Sequence, residues 1–127
     1  MITVAIIAVI AAIAYPSYTE HVTRTRRAAA AGCLTEIAHA LERTYTTSMS
    51  YTPTGAAVMP GIACITETGD FYTYAFDEAE TSARKFALEA RPSGPQATAD
   101  TKCANLTLND KGEKGASGPG TRNECWR

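Results

Sequence analysis

Net charge is nearly absent from this chain: 12 Lys plus Arg stand against 13 Asp plus Glu over 127 residues, a formal charge of −1. Bulk electrostatics therefore select neither a polyanion nor an acidic partner. Histidine is also scarce. His21 and His39 fall on one predicted helix with no carboxylate and cysteine constellation around either, so both read as solvated or groove histidines. His39 and Cys33 share no neat helix face, which argues against a thiol dyad. The chain has no G-x-S-x-G, no P-loop and no H-E-x-x-H, so the chemistries those motifs carry have no residues to act through. No catalytic residue and no cofactor is expected, and the length allows one domain with a modest core.

Paired metal-ligand spacing is missing too. The four cysteines, Cys33, Cys64, Cys103 and Cys125, form no C-x-x-C knuckle, so no metal site is expected from them. An even count at wide spacing reads as two disulfides in an oxidising compartment, where bridges offset a small core. Spacing alone leaves three connectivities open. The turn segment LNDKGEKG offers the oxygens of Asp110 and Glu113 but fails the EF-hand pattern, and reads as a glycine turn carrying solvated charge.

What is present is concentrated at the N-terminus. Met1 to Ala14 reads MITVAIIAVIAAIA, apolar on every side except for Thr3, and so lacks the polar face of a soluble helix. It needs lipid or a fully buried seat. The run to Tyr15 rises only about 21 Å, short of the roughly 30 Å of a hydrocarbon core. Pro16 removes an amide and crowds the preceding turn, which predicts a bend near Ala12 to Pro16. Beyond it Tyr18, Val22, Ala29, Cys33, Ile37, Ala40, Leu41 and Tyr45 recur at helical steps, with Arg24, Arg26, Arg27, Glu36, Glu42 and Arg43 mostly on other faces. The spacing predicts an amphipathic helix over 18–46, continuous with the apolar segment 1–17 as one rod of about 70 Å.

Residues 47–70 are rich in Ser, Thr, Pro and Gly and read as a long connecting loop that Cys64 ties down. FYTYAF at 71–76, KFALEAR at 85–91 and ANLTLND at 104–110 each alternate, with Phe86, Leu88, Ala90, Leu106 and Leu108 facing inward, as strands of an antiparallel meander should. The tail KGEKGASGPGTRNECWR has no hydrophobic periodicity and reads as a surface loop closed by Cys125. Charge is unevenly spread over this half. Residues 51–101 hold seven acids against three bases, whereas from Lys102 onward five bases, Lys102, Lys111, Lys114, Arg122 and Arg127, face three acids.

MITVAIIAVIAAIAYPSY at 1–18 resembles the N-terminal segment of type IV pilins, including the proline after the apolar run and the aromatic that follows. LERTY, FYTYAF, FALEARPSGPQ with a nearby Asp, CANLTLNDKGEKG and the terminal CW resemble the PilE-like minor pilin group, which also contains DNA-uptake receptor pilins. The resemblance covers nearly the whole chain. It implies an α+β type IV pilin fold: a long kinked N-terminal helix packed on a small antiparallel sheet, with a disulfide-closed C-terminal loop. On that template Cys33, mid-helix beside the buried face, is expected to bond Cys64 and staple the long loop across the rod. Cys103 with Cys125 would then close the tail.

The resemblance also implies a role. Ile2, Val4, Ile6, Ile7, Val9, Ile10 and Ile13, with Pro16 at their end, would sit in the inner membrane with the head in the periplasm, and later in the core of an extracellular filament. The interleaved alanines would let neighbouring helices approach closely. Burying about 1,000 Å² of this surface is worth on the order of 25 kcal/mol gross. Partners would be other pilin subunits, the pilus assembly machinery of the inner membrane, and the membrane itself before assembly. A filament used for adhesion, twitching or DNA uptake is the expected function. The second expectation is a receptor in which Lys102, Lys111, Lys114, Arg122 and Arg127, with Trp126, meet DNA phosphates. A third is a membrane-anchored protein that never assembles. Pilins carry a basic leader, then Phe and Glu, upstream of this apolar run, and by the spacing to Pro16 Met1 would lie about six residues into the mature subunit, the missing residues restoring a membrane-spanning length. Arg24, Arg26 and Arg27 alone would favour a cytoplasmic head, a preference that the leader's charge is expected to oppose.

Overall fold

The computed structural model describes residues 1–127. Helix α1 runs from Ile2 to Ser48, 47 residues, and passes through Pro16 without interruption. Met49 ends it in the left-handed region at φ 55°, its amide bonded to the Tyr45 carbonyl, a common helix stop. The helix thus ends two residues beyond the predicted 46. The buried positions are Arg27, Ala30, Ala31, Cys33, Leu34, Ile37, Ala38 and Leu41. The stripe through Ala30, Leu34, Ile37 and Leu41 follows helical periodicity, but Ala29, expected on the inner face, is exposed, and Arg27, expected outside, is covered. The inner face is thus rotated by about one residue, with Ala30 and Ala31 covered in place of Ala29.

That sheet is an antiparallel meander of four strands in the order β1-β2-β3-β4, with β1 at Tyr72–Phe76, β2 at Ala87–Pro92, β3 at Leu106–Asn109 and β4 at Lys114–Ala116. Tyr72 stands opposite Pro92, Leu88 opposite Leu108, and Leu106 opposite Ala116. Strand alternation places Phe86, Leu88, Ala90, Leu106 and Leu108 together against α1, all buried. Tyr51 closes the far end of the core, stacked on Tyr45 with ring centroids 4.6 Å apart and edge-on to Phe86 at 4.9 Å.

The connections hold more regular structure than their composition suggests. The loop after α1 contains α2 (Ala63–Glu67), the β2–β3 crossover contains α3 (Pro95–Ala99), and the tail contains β4 and α4 (Arg122–Cys125). The tail is therefore more than a surface loop. Asn109 and Gly112, the latter at φ 74°, make the hairpin turn that returns the chain as β4. Helix α4 starts at Thr121, whose hydroxyl and backbone amide form a reciprocal capping box with Glu124.

Cys33 is bonded to Cys64, with Cα atoms 5.6 Å apart, and Cys103 to Cys125, at 5.5 Å. The first joins α1 to α2; the second joins the crossover to α4. Between the second pair the tail is pressed onto the crossover backbone: Gly118 N–H donates to the Cys103 carbonyl at 3.1 Å and Gly120 N–H to the Lys102 carbonyl at 2.8 Å. A Cβ on Gly118 would overlap that Lys102 carbonyl. Gly118→Ala is accordingly expected to cost about 1–3 kcal/mol, read as a lower thermal midpoint. Replacing Cys103 and Cys125 together by Ala should cost roughly 3 kcal/mol on the chain-entropy account for a loop of this size, measured by urea unfolding.

Candidate functional site

Two surfaces stand out from this fold. The first is the N-terminal half of α1. Ile2, Val4, Ile6, Ile7, Val9, Ile10 and Ile13 are each more than half exposed, the least so being Ile6 at 53%. No residue of the most apolar eighteen-residue stretch of α1 is covered by the rest of the chain, and α1 is long and apolar enough to cross a membrane. Alanines alternate with these branched residues, so the cylinder is narrow as well as greasy. Pro16, at the end of the run, withholds the amide that would bond Ala12 O. Just above it Thr19, Thr23 and Thr25 turn their hydroxyls back onto the carbonyls of Pro16, Thr19 and His21. Polar side chains thus cover the backbone where the helix leaves its apolar part.

The second surface is the base of the head, where α1 meets the β2–β3 crossover and the tail. Here a groove of about 620 Å³ is lined by Thr19, Glu20, Thr23, Arg24 and Arg27 of α1, and by Asp100, Lys102, Glu124 and Arg127. Its floor is a buried polar network. Arg27 Nη1 donates to Asp100 Oδ1 at 2.6 Å, and the Tyr72 hydroxyl to Asp100 Oδ2 at 2.9 Å. Gln96 Nε2 donates to the Tyr72 oxygen at 3.2 Å and to the Thr23 carbonyl at 3.1 Å. The Asp100 and Gln96 side chains are almost fully buried, and only Gln96 Oε1 lacks a partner. Burial pushes the Tyr72 phenol above its ordinary value, opposed by the Gln96 amide and aided by the Asp100 carboxylate. It therefore remains a proton donor to Asp100 at any physiological pH.

The rim is charged. Lys102 Nζ lies 2.8 Å from Glu124 Oε1, and Arg24 Nη2 3.1 Å from Glu20 Oε1. The Glu124 carboxyl is held down at about 2, first by Lys102 and then by the Thr121 backbone and hydroxyl. Because that value is depressed, its support for α4 is fully present above the ordinary carboxylate range and is lost as pH falls through about 2. The α4 amides should accordingly stay protected from exchange down to about pH 3, and become exposed only below that.

The five tail bases do not form one patch. Lys102 and Arg127 line the base groove, whereas Arg122, in the same short helix α4 as Glu124, is not part of its lining. Lys111 sits at the β3–β4 turn, at the far end of the sheet, with Lys114 at the start of β4. Lys114 Nζ lies 5.2 Å from the centre of the Trp126 ring, whose Nε1 donates to the Gly115 carbonyl at 2.8 Å. His21 and His39 are both exposed on α1. Sequence reasoning missed Arg27, Tyr72, Gln96 and Asp100 as a unit. Arg27 lay within reach, since extending the Ala30–Leu34–Ile37–Leu41 stripe back by one turn lands on it.

A long helix, unsheathed over its first half and packed by its second half on a four-stranded meander whose tail is disulfide-bonded, is the context in which likeness to known proteins can be weighed. Residues 16–107 match the family described as type IV minor pilin ComP, DNA uptake sequence receptor. The chain belongs to that family. Two solved structures share the pilin's fold. The non-core minor pilin PilV of Neisseria meningitidis superposes with a TM-score of 0.58 at 23% identity, covering 78% of this chain and 90% of that one. A type IV pilin from Shewanella oneidensis gives 0.52 at 24% identity, covering 72% and 89%. No curated protein matches the sequence. The family and fold are those of structural pilins rather than enzymes, and as a type IV minor pilin the chain is a pilus subunit whose apolar helix serves membrane anchoring and then the filament.

Proposed function

We propose that this minor pilin waits in the inner membrane as a single-pass protein with its head in the periplasm, is extracted by the pilus machinery, and is built into the filament through residues 1–17 of α1. The observation that carries this reading is the bare apolar half of α1, from Ile2 to Ile13. Such a surface has two stable surroundings, hydrocarbon or other helices of the same kind. The head, residues 18–127, then projects from the filament, where adhesion, twitching and DNA uptake are the activities open to it. The test is to shear filaments from the surface of the native host and probe them for this subunit. Recovery in that fraction is expected. Confinement to the membrane fraction would leave only the anchored, unassembled reading.

DNA capture is the second reading, favoured by the family's description as a DNA uptake sequence receptor and by Lys114 beside Trp126, a cation and an aromatic plane at the surface. Lys111→Ala/Lys114→Ala should reduce the slope of log affinity against log salt by about 1.5–2, two phosphate contacts' worth. An unchanged slope would remove these lysines from the DNA surface.

A further inference from the structure

The base groove sits where the membrane ends. Tyr15 and Tyr18 are exposed aromatics at the close of the apolar run, the position at which tyrosine marks the boundary between hydrocarbon and water. From Thr19 to Arg24 the helix climbs about 8 Å, the thickness of the headgroup layer on one side of a bilayer. All five of the groove's α1 residues, Thr19 to Arg27, lie in or just above that layer.

Charge along the head has the same direction. Arg24, Arg26, Arg27, Lys102, Arg122 and Arg127 gather at the end nearest the apolar run, against Glu20, Asp70, Asp100 and Glu124. At the opposite end of the sheet, Asp77, Glu78, Glu80, Asp110 and Glu113 outnumber Arg84, Lys85, Lys111 and Lys114 by one. A nearly neutral protein is thus a dipole with its positive end toward the bilayer. Not every base is free to act. Arg27 is committed to buried Asp100, and Lys102 to Glu124. Arg24 is held only by Glu20 in an ion pair with both side chains well exposed, a pairing that costs little to exchange. Arg127 makes no ion pair or side-chain hydrogen bond at all, although it lines the groove.

We propose that this groove holds the phosphodiester of an anionic phospholipid headgroup, with Arg24 and Arg127 as its donors and the Thr19 and Thr23 side of α1 as its wall. The site would fix the depth of the waiting subunit and is vacated when the subunit leaves the bilayer. The proposal rests on the reading that the Ile2–Ile13 run lies in the membrane.

The test uses the full chain in nanodiscs of phosphatidylcholine with a minor share of phosphatidylglycerol. Lipid retained by the protein after limiting detergent exchange is quantified by mass spectrometry. Phosphatidylglycerol is expected to be enriched over phosphatidylcholine, the enrichment falling about fivefold in Arg127→Gln and again in Arg24→Gln/Arg127→Gln. Both side chains are exposed, so the thermal midpoint should not move; a control variant, Lys111→Gln at the far end of the head, should retain the full enrichment. Equal enrichment in the double variant and the unaltered chain would overturn the proposal. So would the absence of any preference combined with loss of duplex DNA binding in the double variant, which would give the groove to DNA instead. A chain that never enters the nanodiscs would overturn the membrane reading itself, and the headgroup site with it.

Discussion

Arg27→Met is expected to lower the free energy of unfolding by about 3–5 kcal/mol, the usual cost of stranding one member of a buried ion pair. Asp100 is 1% exposed and its two carboxylate oxygens are divided between Arg27 and the Tyr72 hydroxyl. Removing the guanidinium leaves a buried charge supported by one phenol. Paired charges in an interior do not as a rule exceed a well-packed apolar replacement in stability, so the double change Arg27→Met/Asp100→Leu should recover most of the loss. The contrast between single and double variants, followed by urea unfolding, separates a matched pair from two independently useful residues. If the double variant is as unstable as the sum of its parts, the pair is not the coupled unit described.

This network also shows where reading the chain by hydrophobic spacing stops working. The strands at 71–76, 85–91 and 104–110 were legible because Phe86, Leu88, Ala90, Leu106 and Leu108 alternate, and a half-buried sheet requires that alternation. The apolar first half of α1 was legible for the same kind of reason, since it lacks a polar face altogether. Arg27 broke the scheme because its burial depends on a partner 73 residues away, and no local pattern carries that information. Gln96 and Asp100 lie in PSGPQATAD, whose composition says turn and whose function is to bring two polar side chains under α1.

Strand β4 was invisible for a different reason. Lys-Gly-Ala has no apolar alternation and low strand propensity. It forms because the turn at Asn109–Gly112 returns the chain alongside β3, and because the Cys103–Cys125 bridge and the Gly118 contact hold the tail there. The glycines that read as looseness are in part demands of close approach: Gly115 faces the Thr107 hydroxyl, and Gly118 and Gly120 the Lys102 backbone. The five tail bases, grouped by sequence proximity, were dispersed by the same hairpin, which carries Lys111 to one end of the sheet and returns Arg122 and Arg127 to the other.

Ile10→Lys should separate anchoring from assembly. Ile10 lies in the middle of the bare apolar run and is 61% exposed in the isolated chain. In a bilayer a lysine near the centre of a single helix costs about 2.5–3.5 kcal/mol on the insertion scale, because the long side chain can reach toward the headgroups. The remaining apolar residues outweigh that, so the variant should still sediment with membranes and form both disulfides. In a filament core the same ammonium would be enclosed by the apolar faces of other helices, with no water within reach. Several kcal/mol per buried ion then falls on each subunit contact, and incorporation into sheared filaments is expected to drop more than about 100-fold. Ile10→Val, which keeps the surface apolar, should assemble normally. If Ile10→Lys enters filaments as well as the parent does, this face of α1 is not buried between subunits, and the helix acts as an anchor alone.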